Sequence, residues 1–262
     1  MTSDALLLIG RRTTHAQATF ETHAARLEDR DFVDEVHVCP FESEPIRELR
    51  DQFAAVSADR VFAVPMCVAH SYATLDDLPA ALTHVSGDVR YCDPLGGSPV
   101  VTEVLRSRAT DAMPATEPTS LALVGFGSSS KPHHRQTAEY HAARIAEQSA
   151  YDEVETCYLL QNPTVECVRY NLRNERAVAV PLFFTRSEAT ERRIPEALEL
   201  DRGGIEYAEP LGEHPRITDA IRAAVEQQRV LADGDAATPT PATAQPRPVA
   251  TDGDGRSPSP NN

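Results

Sequence analysis

Residues 19–27 read Thr-Phe-Glu-Thr-His-Ala-Ala-Arg-Leu, and residues 137–145 read Thr-Ala-Glu-Tyr-His-Ala-Ala-Arg-Ile. These two segments lie 118 positions apart (137 minus 19), and a second pair, Val64-Pro65 and Val180-Pro181, lies 116 apart (180 minus 64). The nearly constant offset indicates that a whole domain is duplicated, because the period is far longer than that of a solenoid repeat. Small molecules often bind in the cleft between two such copies.

Both copies begin with a short apolar run that stops at a glycine. The runs are 5–9 before Gly10 and 121–124 before Gly125, and runs of this kind are typical of buried parallel strands. Helical periodicity follows in 15–28 and 133–148, and the alternation of strands and helices continues to the end of each copy. We therefore predict an α/β fold of two tandem lobes, each a parallel four-stranded sheet with helices on both faces.

Changes in composition set the expected boundaries. We predict an N-terminal lobe at 1–109, a linker rich in proline and threonine at 110–120, and a C-terminal lobe at 121–231. From residue 232 the chain consists mainly of small and polar residues without periodicity. Such a segment buries too little apolar surface to offset its ordering entropy, so 232–262 is predicted to be a disordered tail.

The charge balance is strongly acidic. The chain has 40 acidic and 25 basic residues, a net charge of -15, and a single lysine, Lys131. This composition suggests a high-salt cytoplasm and argues against nonspecific binding of nucleic acid, which needs basic patches. We expect a cytoplasmic protein without a membrane span, because the sequence shows no basic leader and no long apolar stretch. The five cysteines lack Cys-x-x-Cys spacing, which disfavours an iron-sulfur cluster.

Three motifs of the second copy resemble one family in order and spacing. They are Leu-Val-Gly-Phe-Gly-Ser at 123–128, Val-Ala-Val-Pro-Leu-Phe at 178–183 and Pro-Leu-Gly-Glu-His-Pro at 210–215. Together they resemble the sirohydrochlorin cobaltochelatase family, the small class II tetrapyrrole chelatases, and the first copy follows them more faintly. The resemblance implies two chelatase-like lobes that hold a tetrapyrrole between them. It also implies insertion of a divalent metal without ATP, so we expect no organic cofactor.

The chain departs from the family where the resemblance places metal-binding histidines. The first strand of family members normally ends in Gly-His-Gly-Ser, whereas this position is Arg11 in copy one and Phe126 in copy two. The second histidine position is Ala73 in copy one and Ala189 in copy two. Membership of the family therefore does not by itself establish its catalysis.

Other residues near the predicted strand ends are candidates for these roles. Metal insertion requires donors for the cation and a base for two pyrrole protons, and His and Glu suit both tasks. We predict His70, His133, His134 and Glu188 as metal ligands, with His133 and His134 also as catalytic bases. The alternative for the paired histidines is helix capping or solvation, and for Glu188 a solvated surface charge. His23 and His141 are repeat equivalents, which favours a common packing role.

Arginines and serines are candidates for binding the carboxylates of a tetrapyrrole. Planar guanidinium groups pair with carboxylates in a bidentate manner, so we predict Arg11, Arg12 and Arg186 as tetrapyrrole-binding residues. Ser128 and Ser129 join them, because their loop leaves a strand and enters a helix, where amides can receive an anion. The alternatives are surface arginines for the first group and a serine-capped glycine turn for the second.

Two functions therefore stay open. The first is a chelatase that inserts a divalent metal into a tetrapyrrole, with Co2+ favoured and Fe2+ or Ni2+ possible. The second is a catalytically inactive relative that binds tetrapyrrole, metal or a partner chelatase. In both, the partner is a small tetrapyrrole, and a monomer with an intramolecular pseudo-dimer is sufficient to form one cleft.

Overall fold

The computed structural model describes residues 2–237 and confirms the predicted α/β fold with two similar parallel sheets. The strands are β1 (Asp4–Arg11), β2 (Glu35–Phe41), β3 (Ser57–Pro65), β4 (Ser86–Tyr91), β5 (Ser120–Gly125), β6 (Glu153–Tyr158), β7 (Ala177–Pro181) and β8 (Ile205–Tyr207). The helices are α1 (Ala16–Glu28), α2 (Pro45–Ala54), α3 (Leu78–Leu82), α4 (Pro99–Ala112), α5 (His133–Gln148), α6 (Val165–Asn171), α7 (Ile194–Ala197) and α8 (Pro215–Ala237). The strand orders are β2-β1-β3-β4 and β6-β5-β7-β8, which places the first strand of each copy at the centre.

Two predicted boundaries differ from the structure. Helix α4 continues to Ala112, so the connection between the sheets is 113–119 and not the whole of 110–120. Helix α8 continues to Ala237, six residues into the segment that we predicted to be disordered from residue 232. Alanine is a strong helix former, which a count of large apolar residues underestimates. The rest of the predicted tail, 238–262, lies outside the described residues.

The two lobes share a single central core. Along β1, Leu6 and Leu8 face this core and belong to the same apolar cluster as Leu121 and Leu123 of β5. The intervening residue Leu7 faces a separate cluster on the outer side of its sheet, as the two-residue period of a strand requires.

The last helix of each copy packs on the other copy. Helix α4 follows the first sheet but lies against β7 and α5, whereas α8 follows the second sheet but lies against β3 and α1. Helices α4 and α8 also pack on one another. This exchange explains why the central core is shared, and it makes the folding of either lobe depend on the other.

A buried carboxylate also joins α8 to the first lobe. Asp4 is 6% exposed and accepts hydrogen bonds from Arg60 Nε at 2.9 Å and from Arg229 Nη2 at 2.8 Å. Burial alone would raise the pKa of Asp4, but the two guanidinium groups outweigh it and lower that pKa. Because a buried charge is costly without its partners, Asp4 holds Arg229, and with it α8, in place.

Candidate active site in the cleft between the lobes

A cavity of about 570 Å³ lies between the lobes at the carboxyl ends of the central strands. This volume is within the range of small-molecule sites. Both copies contribute to its wall, and most of the lining groups are apolar. The lining includes Arg11, Thr13, Phe41, Met66, Cys67, Tyr72, Thr74, Asp77, Phe126, His134, Leu182, Phe183, Phe184, Thr185 and Ser187.

One edge of the cavity is closed by polar contacts between the lobes. Thr13 Oγ1 lies 3.1 Å from Thr185 Oγ1 and donates to the backbone oxygen of Arg186 at 3.3 Å. Nearby, His15 Nε2 lies 3.4 Å from Glu191 Oε1. These contacts join the loop after β1 to the loop and helical turn after β7.

The pseudo-equivalent edge brings two of the predicted histidines together. His70 follows β3 of the first lobe and His133 begins α5 of the second, and their ring centroids are 5.8 Å apart in an edge-on arrangement. Two imidazoles that share one divalent ion at metal–nitrogen distances of about 2.1 Å have centroids on the order of 5–6 Å apart. The observed spacing lies within this range and also within the range of about 4.5–7 Å for edge-on packing between two aromatic rings.

His70 has a polar neighbour at each ring nitrogen. Its Nδ1 atom lies 3.4 Å from the hydroxyl of Thr74, which donates to Ser71 O at 3.1 Å. Its Nε2 atom lies 3.6 Å from Asp93 Oδ1, and the Asp93 side chain is 95% exposed. A carboxylate at Nε2 favours an N–H at that atom, which the imidazole must lose to bind a cation there.

His134 lies inside the cavity beside an aromatic pair. Its ring centroid is 6.4 Å from that of Phe126, and the centroid of Phe126 is 6.4 Å from that of Phe183. Burial lowers the pKa of His134, and the neighbouring His133 lowers it further. His134 is therefore neutral at pH 7, the state in which an imidazole accepts a proton.

Glu188 does not join these histidines. Its carboxylate pairs with Arg192, one helical turn further along the chain, and its side chain is 67% exposed. Within 2–237, no group of three or more His, Cys, Asp or Glu residues could hold a metal ion. The predicted set of four metal ligands is thus not assembled, because a local ion pair holds Glu188 away from the cleft.

The serine-rich loop is a self-contained turn. The amide of Ser128 donates to Gln161 Oε1 at 2.7 Å, and the amides of Ser130 and Lys131 donate to Ser128 Oγ at 3.3 and 3.2 Å. These donors are consumed within the protein, and Ser128 and Ser129 are absent from the cavity lining. These hydrogen bonds are those of a serine-capped turn, and tetrapyrrole binding by Ser128 and Ser129 stays a prediction.

The three predicted arginines differ in their surroundings. Arg186 pairs with Glu209 at 2.7 Å, and Arg12 lies 3.9 Å from Glu42; neither lines the cavity. Arg11 does line the cavity, and its guanidinium group makes no hydrogen bond or ion pair to any described residue. Arg11 is therefore the arginine of this group that can receive a carboxylate in the cleft.

Sequence reasoning missed most of the apolar wall. Tyr72 is 64% exposed, and Phe183 lies beside Phe126 in the same cavity. The available signal was their position in the loops that follow β3 and β7, where parallel sheets form binding sites. Burial raises the pKa of Cys67 to about 12, so this wall thiol is protonated and is a poor metal ligand.

None of the described helices combines the length and apolarity needed to span a bilayer.

Each of the two copies matches the same family of known proteins. The CbiX family matches the chain twice, at residues 5–112 and 120–228. A probable sirohydrochlorin cobaltochelatase of Halobacterium salinarum is 26% identical over 202 residues, which cover 67% of this chain and 68% of that protein.

Two solved structures share the fold. SirB from Bacillus subtilis with Fe3+ has a TM-score of 0.72 at 19% identity, and the match covers 88% of this chain and 98% of that one. A multi-domain Deinococcus radiodurans protein with structural similarity to chelatases has a TM-score of 0.72 at 22% identity. That match covers 87% of this chain and 56% of the Deinococcus protein. Because the family matches both lobes over most of their length, the chain belongs to the CbiX family, in agreement with its resemblance to sirohydrochlorin chelatases.

Proposed function

We propose that the protein inserts a divalent metal ion, with Co2+ favoured over Fe2+ or Ni2+, into a sirohydrochlorin-type tetrapyrrole. The observation that carries this proposal is the pair His70 and His133, whose rings contact each other between the lobes. Their chain neighbours Ala69, Ser71 and His134 line the cavity, so a metal ion held by this pair would lie next to it. The cavity inside has the size of a small-molecule site and both lobes form it.

In this proposal each residue has a separate task. His70 and His133 hold the metal ion in this proposal, with the remaining coordination positions left for water and the tetrapyrrole nitrogens. His134 is neutral and accepts one of the two pyrrole N–H protons that the metal replaces, and the other proton passes to solvent water. Arg11 binds a peripheral carboxylate. Both halves of the cleft come from one chain, so we propose that a monomer is sufficient.

A second candidate is a catalytically inactive relative that binds tetrapyrrole, metal or a partner chelatase. The absence of a group of three possible metal ligands among the described residues favours it. Anaerobic incubation of the metal-free protein with sirohydrochlorin and Co2+ in concentrated salt separates the two candidates. A change of the absorption spectrum faster than the protein-free control supports chelatase activity, whereas a bound and unchanged macrocycle supports the inactive relative.

Replacement of His70 and His133 by alanine is expected to lower the rate of metal insertion about 10- to 100-fold, because both proposed donors are removed. Initial rates from the absorption change at several Co2+ concentrations measure the effect, and we expect the half-saturating Co2+ concentration to rise. The matched control is His84→Ala, since His84 is an exposed histidine outside the cavity. Equal rates in the double variant and the control would exclude the two histidines from metal insertion.

A further inference from the structure

The cleft has two unlike walls at positions that correspond in the two copies. Arg11 is the last residue of β1, and Phe126 follows directly after β5. Each directly follows a glycine, Gly10 in the first copy and Gly125 in the second, and both line the cavity. Duplication alone would place the same chemistry on both sides of the guest. Here one lobe presents a guanidinium group and the other a phenyl ring.

The guanidinium of Arg11 is available to a ligand. Arg11 is exposed and its guanidinium group has no hydrogen-bonding or ion-pair partner among residues 2–237, although the chain has 40 acidic residues. The other two cleft arginines that the sequence indicated, Arg12 and Arg186, each lie near a glutamate. An unpaired guanidinium beside a largely apolar cavity favours a planar anion such as a carboxylate.

The ring of Phe126 is available as well. Phe126 is 37% exposed, so part of its ring is open to the cavity that it lines. Phe183 packs edge-on against it, with centroids 6.4 Å apart and an interplanar angle of 78°, and so supports its position. A supported and accessible ring suits the flat face of a conjugated macrocycle.

We propose that Arg11 and Phe126 divide recognition of the guest: Arg11 pairs with a peripheral carboxylate, and Phe126 stacks on a face of the ring. This proposal rests on the proposed function, since it assumes a tetrapyrrole in the cavity. It names the class of guest as a planar macrocycle with carboxylate side chains. Selectivity by number of carboxylates then depends on Arg11, whereas affinity for the ring itself depends on Phe126.

Titration of two metal-free porphyrins tests this division. The probes are the octacarboxylate uroporphyrin and the dicarboxylate mesoporphyrin, and the readout is the dissociation constant from the Soret absorption at two salt concentrations. Arg11→Gln is expected to weaken binding of uroporphyrin about 10-fold, with a smaller loss for mesoporphyrin and a weaker dependence on salt. Phe126→Leu keeps an apolar side chain and is expected to weaken both porphyrins about equally, by roughly 3- to 10-fold, without changing the salt dependence.

Arg202→Gln is the control, because Arg202 is an exposed arginine outside the cavity lining. If Arg11→Gln reduces binding of both porphyrins equally, or matches the control, the proposed role of Arg11 is wrong. If Phe126→Leu leaves both affinities unchanged, the proposed stacking is wrong. Failure of the unaltered protein to bind either porphyrin would instead contradict the proposed function. Circular dichroism and thermal unfolding of each variant show whether the fold is retained.

Discussion

Replacement of both His23 and His141 by alanine is expected to reduce the free energy of unfolding by about 6 kcal/mol. Both side chains are fully buried. His23 Nε2 donates to Gly212 O at 3.1 Å, and its Nδ1 accepts from the hydroxyl of Thr218 at 2.9 Å. Truncation leaves a buried carbonyl and a buried hydroxyl without partners and also creates a cavity, at a cost of about 3 kcal/mol for each histidine.

The second histidine repeats this arrangement in the opposite direction. His141 Nε2 donates to Gly96 O at 2.7 Å, and its Nδ1 accepts from Thr102 at 2.8 Å. Each histidine thus belongs to one copy and bonds to the chain of the other. Gly96 is closely packed, since a Cβ there would lie 2.1 Å from Val68 O. The two sets of bonds therefore connect the lobes through rigid backbone.

Urea unfolding of the two single variants and the double variant measures this effect. The two sites share no residue, so the losses are expected to add. His84→Ala, an exposed substitution, is expected to change stability by less than about 0.5 kcal/mol. A double variant within about 1 kcal/mol of the unaltered protein would show that the cross-lobe bonds contribute little. A loss of about 6 kcal/mol is comparable with the whole stability of a typical domain.

The packing role of these histidines could be predicted, whereas their partners could not. The repeat identified His23 and His141 as equivalent residues within helices, and their complete burial confirms a packing role. Their partners lie 195 and 39 positions away along the chain and belong to the other copy. Hydrophobic periodicity predicts which face of a helix is buried, but not which sheet covers it. The exchange of α4 and α8 therefore had no signal in the sequence.

In the candidate site, too, the sequence predicted positions of side chains but not the partners that they bind. His70 and His133 were predicted from their positions after strands, and parallel topology brings these loops to one edge. Glu188 satisfies the same rule, but Arg192 lies within one helical turn and pairs with it first. The amides of the serine loop were in the expected place, but Gln161 and Ser128 occupy them. Competition by local partners requires coordinates to detect.

The stability of the protein is expected to fall by about 4 kcal/mol between pH 7 and pH 5 through the same two histidines. Burial lowers the pKa of His23 and of His141 from the ordinary 6.5 to about 4. The charges of Arg26 and Arg144 also lower these pKa values, whereas the hydrogen bonds to the glycine carbonyls raise them. Between these values the unfolded chain binds a proton at each histidine and the folded chain does not. The contribution is therefore complete above pH 6.5 and is lost as the pH falls toward 4, by about 2 kcal/mol for each histidine at pH 5.

Urea unfolding at half-unit steps from pH 7.5 to 4.5 measures this dependence. The variant with both His23 and His141 changed to glutamine is less stable at pH 7, but its profile is expected to be flatter by about 4 kcal/mol because two titrating groups are removed. His134 and His214 also have lowered pKa values and keep a smaller slope of the same sign in the variant. The pKa of Asp4 is lowered, and that of Glu48 is lowered to about 2. Most of the change in stability from these two carboxylates therefore falls below about pH 4.5. Parallel profiles of the variant and the unaltered protein would show that the cross-lobe histidines do not titrate on unfolding.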